Sequence, residues 1–232
     1  MHGALMAPAM IKVDSQGRVW LRGSERSRWA GKPINGEGQT AVSVLIPWTR
    51  ADEVERASLL MRQRAGAPCT IVCVQDDDGC GPVQLLNAAF RSLLAPWVVY
   101  AAQDAFAGRR WLAQALESVA GPDGPKLFAF NDGKWFGHLA AFGLVRRSWA
   151  QGLYGGNLFH SDYHQHFGDV ELTLVAQQQR VFAYHPHAVL VEVDYEKDTR
   201  SVALQDRERF LLRQAGGFDG RVLDPTLLTR FR

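Results

Sequence analysis

Long apolar runs are missing from this chain: no stretch is long enough to cross a bilayer, and no segment repeats or falls into low complexity. An excess of one charge is missing too. Against 26 lysines and arginines stand 24 acidic residues, and a net charge of +2 calls for neither nucleic acid nor an acidic membrane as partner. Cysteine is scarce. Cys69 and Cys73 share one predicted strand, on which residues four apart are too distant to bridge, so the three thiols (with Cys80) are expected reduced, and the compartment cytoplasmic. The opening residues MHGALMAPAMIKVD have no basic n-region and are interrupted by Pro8, so no secretory leader is expected there. The composition is otherwise ordinary for a globular protein: 232 residues, 47% hydrophobic and 22% charged, enough for one α/β domain with an appended arm.

Residues 1–40 read as that arm. Met10–Val13 and Arg18–Leu21 flank a Ser15-Gln16-Gly17 turn and predict a hairpin, and GSERSRWAGKPINGEGQT predicts loop or linker. Its arginines (Arg18, Arg22, Arg26, Arg28) interleave with Trp20 and Trp29, a composition that suits either a solvated arm or phosphate and base contact. VSVLIP (42–47) is a short continuous apolar run of the kind that forms a strand buried on both faces. Thr49, three residues before Asp52, predicts the start of a helix that Gly66 closes. CTIVCV (69–74) predicts a second buried strand ending in Gln75-Asp76-Asp77-Asp78-Gly79. Pro82 opens the next helix, with Leu85, Leu86, Ala89, Phe90 and Leu93 on its apolar face. The third strand, Trp97–Ala102, delivers Asp104 to its carboxyl end, where open α/β sheets place ligand chemistry, and a helix from Trp111 to Val119 comes next. The order β-α-β-α-β-α with short connections predicts a parallel sheet wound with helices.

The second half is less regular. Leu127–Phe130 predicts a strand, GLYGGNLFHSDYHQHFGD (152–169) a functional surface loop, Asp169 the start of a helix, and Val181–Tyr184 and Ala188–Val193 two late strands. Ser201 begins a last helix closed by Gly216-Gly217, and residues 216–232 read as a basic tail, less ordered than the rest.

From about Ala41 to about Arg213 the chain resembles the family 2 glycosyltransferases, whose fold is called GT-A. VSVLIPWTR resembles the family's opening strand, although Trp48-Thr49 stand where small polar residues are usual. CTIVCVQDDD resembles the second strand, ending in an aspartate that holds the nucleotide base. YAAQDAFAGRRWL resembles the metal-binding strand end followed by the tryptophan-leucine helix start, and GDVELTLVAQQQRVFAYHPHAVLVEV resembles the segment with the catalytic acid, a helix and two strands. The resemblance implies a GT-A-like Rossmann-type mixed sheet plus the N-terminal hairpin arm, with residues 41–121 as the nucleotide-sugar half and 122–215 as the acceptor and catalytic half.

It also implies an inverting transferase that moves a sugar from a nucleoside-diphosphate sugar to an acceptor hydroxyl. Asp169 would be the general base, and Asp104 would hold a divalent cation, manganese or magnesium, on the diphosphate. Asp76 or Asp77 would contact the base or ribose, with Pro47, Thr49, Arg50, Asn87 and Gln103 around the donor. The usual aspartate-any-aspartate triplet is Ala102-Gln103-Asp104 here, and a Gln-Asp-Ala version resembles some rhamnosyltransferases, which keeps dTDP-sugars beside UDP-sugars as donors. Gly168 stands where an acidic residue usually precedes the base. The family's late metal-binding histidine should fall within 191–194, where Glu192 or Asp194 would substitute.

On the acceptor side, Trp135, His160, Tyr163, His164 and His166 are candidates, with Phe136 and Phe167 for an apolar platform and Lys134, Arg146 and Arg147 for the diphosphate. His160, Asp162, His164 and His166 carry metal-ligand chemistry without a zinc-site spacing. Two other functions fit the pattern. One is a GT-A-like protein that binds a nucleotide sugar without turning it over. The other is a nucleic-acid-associated module, suggested by the basic aromatic arm and the arginines from Arg207 to Arg232, with a modified base as a conceivable sugar acceptor.

Overall fold

The three apolar runs form the parallel heart of one mixed sheet. In the computed structural model, residues 11–34, 40–193 and 204–231 are described. The strands are β1 (Lys12–Val13), β2 (Val19–Arg22), β3 (Val42–Trp48), β4 (Thr70–Gln75), β5 (Trp97–Tyr100), β6 (Ala105–Ala107), β7 (Leu127–Asn131), β8 (Gly143–Arg146) and β9 (Phe182–Glu192). Their order across the sheet is β1-β2-β4-β3-β5-β8-β7-β9-β6. Strands β2, β4, β3 and β5 run parallel, β8 is antiparallel to both β5 and β7, and β9 runs parallel to β7.

Side chains alternate across the sheet, and both faces are covered. Leu45, Val72, Val74 and Val98 face one core, while Val44, Ile46, Ile71, Cys73 and Val99 face the other. The first core is roofed by α3 (Pro82–Phe90), α6 (Gly168–Gln178) and α7 (Leu204–Ala215), through residues such as Phe90, Leu172 and Phe210. The second is roofed by α2 (Ala51–Arg64) and α4 (Trp111–Ser118), through Val54, Met61 and Trp111. Trp111 is fully buried, and its indole N–H donates to the Met61 carbonyl at 2.9 Å, so the ring's polar atom is satisfied in the core.

The hairpin forms, and its second strand is part of the sheet: β2 pairs in parallel with β4, Val19 opposite Val72 through Arg22 opposite Gln75. The segment expected as loop contains a short helix, α1 (Arg26–Trp29), because Trp29 is buried and its indole donates to the Arg22 carbonyl at 2.8 Å. Arg18, Arg26, Trp20 and Trp29 are committed within the fold, while Arg22 and Arg28 are exposed. Arg18, 4% exposed, pairs with Asp14 at 2.7 Å and Glu55 at 2.6 Å, and Arg26 pairs with Asp78 at 3.3 Å. Trp20 donates to Asp14 and meets Trp48 edge to face at 5.9 Å. All three cysteines are free.

Three further expectations change, and a fourth is not reached. Thr49 does not cap α2; Arg50 holds the cap position without a side-chain bond, and the Thr49 hydroxyl accepts from the Gln103 amide at 3.4 Å. The two late strands are one, since β9 runs through Pro186 with a register shift opposite Ala129 and Asn131. Ser201 lies outside the described residues; the last long helix is α7. The basic tail is structured: α8 (Gly217–Gly220) and α9 (Pro225–Leu228) bury Phe218 and Leu227, and Arg221 pairs with Asp219 at 2.5 Å. Among the described residues no helix is long and apolar enough to cross a membrane.

Candidate active site

At the carboxyl ends of β3, β4 and β5 the sheet opens into a cleft of about 580 Å³. Such a crevice is where parallel strands release their ends and their unpaired backbone groups toward a ligand. Pro47, Trp48, Thr49 and Arg50 line it from the β3–α2 turn, Asp76 from the end of β4, and Ala102 and Gln103 from beyond β5. Gln165, His166 and Glu192 close the opposite side.

Gln103 organises the turn. Its Oε1 accepts from the backbone N–H of Thr49 at 2.7 Å and of Arg50 at 2.9 Å, tying the end of β5 to the start of α2. The Gln103 amide is therefore spent on positioning the cleft wall. Asp76 is held by its own backbone N–H, which donates to the Trp48 carbonyl at 2.8 Å, and its Oδ2 accepts from Gly81 at 3.2 Å. Its Oδ1 is buried and takes no hydrogen bond from the described residues.

A smaller chamber of about 190 Å³ shares Pro47, Pro82, Ala102, Gln165 and His166 with the cleft and ends on Gly168 and Asp169. Phe167, in the left-handed conformation with φ of 69°, turns the chain so that α6 begins there and Asp169 stands in its first turn. Burial pushes the Asp169 carboxyl up to about 6; the N–H groups of Val170 and of Asp169 itself oppose this, and the charges of Glu192 and Asp132 add to it. Partial burial lowers the His166 imidazole, against the pull of Asp206, and keeps it neutral at neutral pH. Gly168 has a packing reason: a Cβ there would meet the Phe159 ring at 2.9 Å, so the acidic residue usual at this place has no room.

The predicted site residues divide. Pro47, Thr49, Arg50, Asp76, Gln103, Glu192, His166 and Asp169 converge on the cleft or chamber. Asp77 points the other way, accepting from the Ser24 hydroxyl at 2.6 Å and the Ser24 N–H at 2.8 Å, so it fastens the N-terminal segment. Asn87 is 2% exposed and both ends of its amide are bonded to the Phe159 backbone, at 2.9 and 3.0 Å; it is a clamp and touches no donor space. Asp104 is buried and off the lining. Register sets Glu192 opposite the adjacent Ala105, and the Asp104 carbonyl accepts from Val193, which brings Asp104 and Glu192 to one corner. Asp194 lies outside the described residues.

On the acceptor side, Trp135 packs against Phe231, His160 against Tyr154 and Tyr163, and neither lines the cleft. Tyr163 is fully buried and donates to Glu171 at 2.8 Å, which makes it core. His164 contributes only its backbone, accepting from Val83 and donating to Asp206. The set His160, Asp162, His164 and His166 does not come together as a metal centre among the described residues. Asp76, Asp78 and Cys80 do bring ligand atoms within 4.8 Å of one another, but the Arg26 guanidinium already reaches Cys80 at 2.7 Å and Asp78 at 3.3 Å. Glu192 on the cleft lining and Asp104, buried beside it and off the lining, are carboxylates of the kind that give magnesium or manganese hard oxygen donors.

Sequence reasoning missed Asp206. From α7, 0% exposed, it accepts from the consecutive backbone N–H groups of His164 (3.1 Å), Gln165 (2.7 Å) and His166 (2.9 Å) and fixes the wall that carries Gln165 and His166. Burial raises its carboxyl, and these bonds and Arg209 outweigh that and lower it. A group lowered on folding contributes stability that is present at neutral pH and lost as pH falls through its folded value. Asp206→Asn is therefore expected to lower the midpoint of thermal unfolding near neutral pH, at a cost of about 1–3 kcal/mol. The gap between variant and parent should shrink toward pH 3 in melts recorded from pH 3 to 7.

No protein-family profile matches this sequence, and no curated protein matches it. Solved structures do. A mannosyltransferase from Pyrobaculum calidifontis, solved with GDP-mannose and manganese, superposes with a TM-score of 0.61 at 16% identity, over 88% of this chain and 74% of that one. A Drosophila β-1,4-galactosyltransferase 7 variant, solved with manganese, UDP-galactose and xylobiose, superposes with a TM-score of 0.54 at 11% identity, over 72% of this chain and 79% of that one. The fold is that of the GT-A glycosyltransferases.

Proposed function

We propose that this protein is an inverting glycosyltransferase that moves a sugar from a nucleoside-diphosphate sugar, with UDP- and dTDP-sugars as the first donors to try, to an acceptor hydroxyl. The observation that carries it is Asp169: one carboxylate, raised by burial, lining a chamber that adjoins the donor-sized cleft. That is the place and the proton affinity a general base needs to take a hydroxyl's proton near neutral pH. The GT-A fold, and the manganese and nucleotide sugars bound by the two proteins it superposes on, support the same reading.

In this reading Asp76 accepts a hydrogen bond from the base or ribose through its free Oδ1, while Pro47, Thr49 and Arg50 form the donor's wall. Gln103 holds the Thr49–Arg50 turn in place. Asp104 and Glu192 would hold a divalent cation, which supplies positive charge to the leaving diphosphate. Asp169 takes the acceptor's proton as its oxygen attacks the anomeric carbon from the face opposite the diphosphate, which inverts the configuration. His166, neutral, lines both spaces and serves as a hydrogen-bond partner on the acceptor side.

Thermal unfolding with UDP, dTDP and GDP sugars, in manganese, magnesium or chelator, tests this. A true donor at a hundredfold excess over its dissociation constant should stabilise by about 2.7 kcal/mol. The effect should need the cation, and Asp76→Asn should reduce it. No shift with any nucleotide would remove the donor site.

A further inference from the structure

The chamber beside Asp169 is built unlike a sugar cleft. Its walls are Val83 and Leu86 from α3, Tyr100 and Ala101 at the end of β5, and Phe142 and Phe159 opposite, each no more than 6% exposed. The polar groups near these walls are already spent. The Tyr100 hydroxyl donates to the Ala140 carbonyl at 2.7 Å, and the Asn87 amide is closed onto Phe159. The polar side chains among its lining residues are Gln165 and His166, which it shares with the cleft, and Asp169. At about 190 Å³ the chamber exceeds the roughly 150 Å³ apolar cavity that takes a benzene ring. It fits one six-membered ring.

We infer that this chamber binds a single ring whose inner edge, against Val83, Leu86 and Phe142, is apolar, deoxygenated or aromatic, and whose hydroxyl side faces Asp169. A hydroxyl carried on the inner edge would lose its water and find no partner, a cost that apolar pockets translate into about a hundredfold discrimination at most. No lysine or arginine lines the chamber, and Asp169 stands at its end, so a ring bearing phosphate or carboxylate is disfavoured. The ring is either the transferred sugar or the acceptor. That choice rests on the transfer reading, whereas ring binding itself does not.

The test is saturation-transfer NMR on the full chain with cyclohexanol, phenol and myo-inositol as probes. Cyclohexanol and phenol should bind, with myo-inositol at least tenfold weaker. Val83→Phe, and independently Ala141→Leu from the opposite wall, should each weaken the first two at least tenfold. Equal binding of myo-inositol, or ring binding untouched in a folded filling variant, overturns the inference. The same variants are then titrated with a nucleoside diphosphate and its sugar conjugate. Loss of affinity for the conjugate alone places the transferred sugar in the chamber, and unchanged affinity for both places the acceptor there. If the parent protein binds no nucleotide while the rings still bind and the filling variants still block them, the transfer reading fails and the chamber stands.

Discussion

Asp169→Asn is expected to lower turnover by about a hundredfold to ten-thousandfold, the usual span for removing a general base, while the affinity for the donor stays within a factor of a few. The side chain lines the chamber and is not among the residues that line the donor cleft, so donor binding should survive its neutralisation. Its carboxyl, raised to about 6, gives two further readouts. The base works only when deprotonated, so kcat/KM should fall as pH drops through about 6. Stability runs the other way. A carboxyl raised on folding binds its proton more tightly in the native state, so its ionisation costs stability that is recovered as pH falls from about 6 toward its unfolded value near 4. Asn carries no such cost. The variant should therefore unfold at a slightly higher temperature than the parent at pH 7.5, by about 1–3 kcal/mol at most, and the difference should shrink below pH 6 and fade by about pH 4. An inactive variant with raised stability is the mark of a group kept for chemistry at the expense of folding.

The largest stability loss is expected at Glu171, one helical half-turn behind the base. Its side chain is 1% exposed and takes a two-pronged contact from Arg213, 2.7 Å to each oxygen, plus the Tyr163 hydroxyl at 2.8 Å. Arg213 belongs to α7 and also reaches Asp219 at 3.0 Å, so this one carboxylate binds α7, α8 and the 152–167 loop to α6. Removing one partner of a buried pair leaves a guanidinium without its main counter-charge and costs about 3–5 kcal/mol. Against a total stability of about 5–15 kcal/mol that is a large share, so Glu171→Ala should lower the unfolding midpoint by about 10 °C in calorimetry. Removing both ends, with Arg213→Met beside Glu171→Ala, should cost less than the sum of the single changes, because the pair is coupled. Additive losses would mean that the contact carries little.

Much of the fold was legible in the sequence. VSVLIP, CTIVCV and WVVY become β3, β4 and β5 because a strand covered on both faces must be apolar at every position, and such runs stand out against charged helices. The GT-A resemblance rested on the polar residues at the ends of those runs, and Asp76, Gln103 and Asp169 do converge at strand and helix ends. The acceptor loop was another matter. His164 and His166 are alike in sequence, yet one meets the fold only through its backbone and the other lines the cleft, a choice made by three N–H groups turned onto Asp206 some forty residues away. A carboxylate or amide that binds backbone leaves no partner to find by composition, which hid both Asp206 and the structural role of Asn87. Tyr163 looked like an acceptor platform and is core, because its polar end is satisfied by Glu171. The arm misled for a related reason: Arg18 is matched by Asp14 and Glu55, the second of them far along the chain.

The most direct measurement is product analysis by proton NMR, with the donor that gives the largest cation-dependent stabilisation, an acceptor panel, and the Asp169→Asn protein alongside. The account expects release of the nucleoside diphosphate together with a new glycoside of inverted anomeric configuration, absent with the variant. A product of retained configuration, or full turnover by Asp169→Asn, would contradict it.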